Sequence, residues 1–86
     1  MIVEVIARHR GEGATTAGII EAESFDAAVR LIYANKIRYR SITRRGTENR
    51  WYVTGVTEHC REYTFPVWCK KATAAQLAAR KAPTTA

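Results

Sequence analysis

Residues 2–9 alternate between two faces. Val3, Val5 and Ala7 fall on one; Ile2, Glu4, Ile6 and Arg8 fall on the other. A period of two with β-branched side chains predicts a strand, and aliphatics on both faces predict a central one. Residues 10–18 read as a turn or loop rich in Gly and Thr, followed by a short strand over 19–22. Ser24 has the place of a helix N-cap, with Asp26 in the first turn where a carboxylate suits the positive end of the dipole. Phe25, Ala28, Val29, Leu31 and Ile32 recur at helical spacing and form one apolar face, opposed by Asp26, Arg30 and Ala34. The helix is expected over 24–36.

Period two returns over 37–45. Ile37, Tyr39, Ser41 and Thr43 share one face, and Arg38, Arg40 and Arg44 share the other with Ile42. Residues 50–57 predict a second strand, with Trp51 and Val53 on one side and Tyr52, Thr54 and Val56 on the other. Residues 63–69 predict a third. Pro66 has no N–H to give to a ladder, which marks that third run as an edge strand. Thr73 and Gln76 have capping-box spacing and begin an alanine-rich helix over about 74–81, with Leu77 its single large apolar residue. The pattern predicts one α+β domain over 1–82. Its parts are an antiparallel sheet of three to five strands, one amphipathic helix packed on the sheet and a small C-terminal helix; 83–86 form a disordered tail. A chain of 86 residues has a small core and little room for a deep, water-free cleft.

Composition adds few constraints. A hydrophobic content of 47% and a charged content of 26% exclude wholesale disorder. The N-terminal apolar run lacks a leading positive charge and is interrupted by Glu4, which argues against a secretory signal. No run approaches the roughly 18 apolar residues of a membrane span. The expectation is a cytoplasmic protein with no membrane partner.

Charge changes the picture more. Seven of the 14 basic residues lie between Arg30 and Arg50: Arg30, Lys36, Arg38, Arg40, Arg44, Arg45 and Arg50. Glu48 is the one acid among them, so this segment carries +6, equal to the net charge of the whole chain. Such clustering, with a pI of about 9.8, points to a polyanionic or acidic partner. Arginine offers planar, bidentate bonds to phosphate and carboxylate. Arg30, Lys36, Arg38, Arg40 and Arg44 are therefore the first candidates for partner binding, with Arg45, Lys70 and Lys71 as outliers. The plain alternative is an arginine-rich strand that keeps a sheet edge soluble. Lys70 and Lys71 precede a helix start, where positive charge opposes the dipole and an anion would reverse the sign.

Little else carries chemistry. Cys60 and Cys69 are nine positions apart, about 30 Å in extended chain, so reduced thiols are expected. Beside Lys70 and Lys71, Cys69 is favoured as thiolate. Exposed, it would form an intermolecular disulfide; a buried structural thiol is the other reading. Neither His9 nor His59 has metal-site spacing with the cysteines, and adjacent His59 and Cys60 diverge in extended chain. The Gly-Glu-Gly of residues 11–13 lacks the ending of a phosphate loop. No enzyme, metal site or cofactor is expected.

Two resemblances carry further. Ile20-Glu21-Ala22-Glu23-Ser24, followed by Phe25-Asp26-Ala27-Ala28-Val29-Arg30-Leu31-Ile32, resembles a group of small phage anti-CRISPR proteins. The similarity is to type I-F inhibitors built from an N-terminal strand, this helix start and a run of antiparallel strands, and it extends through Ala34, Lys36, Trp51 and Trp68-Cys69. It implies a protein that, in the cytoplasm of a bacterial host cell, binds the guide-RNA surveillance complex Cascade through its subunits and occludes the path of target DNA, as a monomer or weak dimer. Arg30 and Lys36 fall where that family also places basic residues. A longer hairpin region and the added helix after Lys71 depart from the pattern and leave a type I-C system equally open as the target. At +6 the chain does not imitate DNA by net charge, so contact with acidic protein patches or with bound nucleic acid fits better. The second resemblance is to the end of a double-stranded RNA-binding domain. It rests on helix, three strands, helix, and on Lys70-Lys71-Ala72 before Ala74-Ala75-Gln76-Leu77, and it implies phosphate contacts from the two lysines. A leading strand is a departure from that domain.

Overall fold

The computed structural model describes residues 1–34, 39–44, 46 and 49–81, with Tyr39, Arg40 and Lys81 described by backbone alone. The elements run β1 (Ile2–Arg8), β2 (Ala14–Glu21), α1 (Phe25–Tyr33), β3 (Tyr39–Arg44), β4 (Trp51–Val56), β5 (Glu62–Lys71) and α2 (Ala74–Lys81). The five strands form one antiparallel sheet in the order β2-β1-β5-β4-β3. The α+β reading holds, with the sheet at the upper end of the expected strand count. No helix among the described residues is long and apolar enough to cross a membrane.

One face of the sheet builds the core. Val3, Val5 and Ala7 of β1 meet Phe65, Val67 and Cys69 of β5 and Trp51 and Val53 of β4, all buried. Cross-strand register sets this up: Val5 is opposite Cys69, Ala7 opposite Val67, Val67 opposite Trp51, and Phe65 opposite Val53. Side chains at every second position then share a face. Helix α1 closes that face with Ala28, Val29 and Tyr33 buried and Phe25 and Ile32 partly buried. It lies close to the sheet because β2 carries Gly18, where a Cβ would stand 2.9 Å from Cδ1 of Ile32.

The caps follow the local chemistry. The Ser24 hydroxyl accepts from the Ala27 N–H at 3.1 Å. At α2, the Gln76 N–H donates to the Thr73 hydroxyl at 3.2 Å and the Thr73 N–H donates to Gln76 Oε1 at 2.8 Å, a complete capping box.

Four expectations are corrected. Residues 14–18 are strand, not loop: they extend β2 along β1, with a register shift between Val5 and Ile6. Helix α1 ends at Tyr33, and Leu31 is 54% exposed instead of joining the apolar face. Asp26, assigned to the solvent side, accepts a hydrogen bond from Trp51 of β4 that ties the helix to the sheet. Pro66 lies in β5, the middle strand of the sheet. It is tolerated there because pairing with β1 stops at Ala7 opposite Val67, while β4 continues past it through Tyr52. The expected tail at 83–86 lies outside the described residues.

Candidate functional site

Asp26 organises the basic side chains on the helix side of the sheet. Its carboxylate accepts from Arg30 Nε at 2.8 Å and from the buried Trp51 indole N–H at 2.8 Å. The Arg44 guanidinium stands over the Trp51 ring, 4.9 Å from its centroid, a cation–π contact. The hydrogen bond from Arg30 comes first, and with the one from Trp51 and the charges of Arg30 and Arg44 it holds the Asp26 carboxyl below its ordinary value of 3.8. Arg30 remains 53% exposed at its side chain, so it is oriented without being withdrawn from solvent.

The arginine row read from strand period is not what β3 presents. Arg44 does share a face with Ile42, but that face is the one holding Trp51 and Val53. Between Tyr39 and Ser41 the register shifts by one residue, which breaks the two-residue period at Arg40. The Arg40 side chain, and Lys36, Arg38 and Arg45 as a whole, lie outside the described residues. Arg30 and Arg44 thus come together at a carboxylate; a solvent-facing stripe is not shown.

Lys70 and Lys71 belong to the end of β5, and the pleat sends them to opposite faces. Lys70 is opposite Glu4 and its ammonium lies 3.4 Å from Glu4 Oε1. Glu4, nearly buried, also accepts from the Thr16 hydroxyl. The paired lysines implied by the RNA-binding resemblance therefore do not point together.

Of the two readings open for Cys69, the structure has the buried thiol. Cys69 is buried, its S–H directed at the Phe25 carbonyl at 3.7 Å, and burial pushes the thiol up to about 12. The exposure that an intermolecular disulfide through Cys69 requires is lacking. Cys60 is the exposed thiol, at the tip of the β4–β5 hairpin with φ of 60°. His59 is exposed beside it. Among the described residues no three His, Cys, Asp or Glu side chains gather as a metal site would require.

Two further features were not read from sequence. Asn49 clamps the backbone of Cys69: its amide Nδ2 donates to the Cys69 carbonyl at 2.7 Å and its Oδ1 accepts the Cys69 N–H at 3.0 Å. Outside the core face, α1 presents Arg30 and exposed Leu31 along a shallow cleft of about 530 Å³ that also includes Glu21, Glu23 and Ala27. Helical period could have placed Leu31 beside Arg30, but which of two neighbouring apolar stripes is buried depends on how the helix meets the sheet.

No protein-family model, curated protein or solved structure matches this chain.

Proposed function

We propose that this protein is a non-catalytic inhibitor that binds the Cascade surveillance complex of a type I CRISPR system and blocks its access to target DNA. The observation that carries this reading is the outer surface of α1, where Arg30 and Leu31 stand exposed on a helix entered through Ile20-Glu21-Ala22-Glu23-Ser24. An exposed leucine beside an arginine fits a protein surface: the leucine supplies an apolar anchor and the guanidinium an acidic partner's contact. The Asp26–Arg30 bond fixes the guanidinium before binding, which lowers the entropy lost on docking. The name of the partner comes from the resemblance of residues 20–32 to the type I-F inhibitors. The choice between type I-F and type I-C remains part of the proposal.

The test is co-purification of the tagged protein with type I-F and type I-C Cascade side by side, followed by target-DNA binding by the retained complex. One complex is expected to be retained and to lose DNA binding. Arg30→Glu with Leu31→Glu should abolish retention while leaving the circular dichroism spectrum intact. Retention by neither complex overturns the reading, and retention unaffected by the double variant removes α1 from it.

A further inference from the structure

The sheet face turned away from α1 has a composition of its own. Strand pleat and register place Ile6 opposite Trp68, and Pro66 opposite Tyr52, on this side. Arg8 and Arg50 flank these rows, and the two arginines with Pro66 and Trp68 line a cleft of about 410 Å³. Trp68, Tyr52 and Pro66 are half-buried, so each leaves part of its surface in solvent; Arg8 and Arg50 are exposed. Among the described residues neither arginine has an ion-pair or hydrogen-bond partner.

The charge balance on this face is positive where the aromatics are. Glu4, the acid nearest the centre, is engaged by Thr16 and Lys70. Glu21 and Glu62 stand at strand ends, opposite Ile2 and Val56. Helix α1 lies on the other side, and α2 contacts the edge strand β2. A sheet surface with two rings and two guanidiniums that have no partner among the described residues suits a partner that has flat apolar faces strung on an anionic backbone.

We propose that this open face binds single-stranded nucleic acid, with bases stacking on Trp68 and Tyr52 and phosphates held by Arg8 and Arg50. Stacking on an aromatic ring needs a base freed from its partner, and a sheet face offers no protruding element to read a duplex groove. This surface is separate from the outer side of α1 and does not depend on Cascade binding.

The test is fluorescence anisotropy of the full chain with a labelled thymidine or uridine oligonucleotide of about 12 residues at about 50 mM salt. Saturable binding that weakens as salt rises is expected. Trp68→Ala should weaken it about tenfold, and Trp68→Phe, which keeps a ring and guards against misfolding, should retain most of it. Arg8→Gln with Arg50→Gln should flatten the salt slope by about 1.4, at about 0.7 per phosphate on a single strand. No binding at that salt overturns the proposal. So does equal binding of a duplex of the same length with no effect of Trp68→Ala, which would mark simple charge attraction.

Discussion

Trp51 donates its indole N–H to Asp26 at 2.8 Å, joining the first turn of α1 to β4 across 25 residues of chain. The indole is fully buried and Asp26 is its hydrogen-bond acceptor, so the bond is structural before it is anything else. The same carboxylate orients Arg30. The candidate docking helix and the core are therefore held by one side chain.

Asp26→Ala is expected to destabilise the fold by about 2 kcal/mol, chiefly because the buried indole N–H loses its acceptor. Asp26→Asn should cost less. The acid's folded value lies below 3.8, so its contribution is present above that pH and is lost as pH falls through the folded value. The gap in urea midpoint between the natural chain and Asp26→Asn should then be widest at neutral pH and narrow as the pH falls below 3.8. A gap independent of pH would show that the charge of Asp26 does not contribute.

The thiols should separate cleanly in a timed reaction with a disulfide reagent at mildly alkaline pH. Cys60 is expected to react at once and Cys69 only on unfolding. Cys60→Gly should remove the fast phase and any covalent dimer, and raise stability by roughly 0.5 kcal/mol, because glycine adopts the positive φ at that tip without strain. Rapid modification of two thiols in the folded chain would contradict the burial of Cys69.

Asn49→Ala removes both bonds to the Cys69 backbone. A loss of about 1–3 kcal/mol is expected, with faster hydrogen exchange at the Cys69 amide than at its neighbours in β5. Unchanged exchange there would mean that the clamp does not hold in solution.

Much of this fold is legible in the residues. Val3, Val5 and Ala7 announce their buried face by period two, Ser24 and the Thr73–Gln76 pair announce their helices, and Trp51 and Val53 separate from Tyr52 and Thr54 as expected. The parts that escape are those decided between distant segments. Pro66 looks like an edge residue until β1 is known to stop pairing at Val67. Asp26 looks solvated until Trp51 is brought against it. Arg44 and Ile42 do lie on one strand face, but period alone does not say whether a face meets water or a core, and here it meets Trp51. The same missing order hides the juxtaposition of Arg8, Trp68 and Tyr52, which come from three different strands.

The innermost neighbour of the first strand is the last one, β5, bonded from Val3 to Ala7 against Val67 to Lys71. During synthesis β1 and β2 can meet early, but the inner flank of β1 stays bare until β5 has been made. Before β5 is made, the other four strands form two unjoined pairs with no finished interior, bare to proteases. Closure of this sheet therefore waits on β5, whose partner β1 lies far back in the sequence.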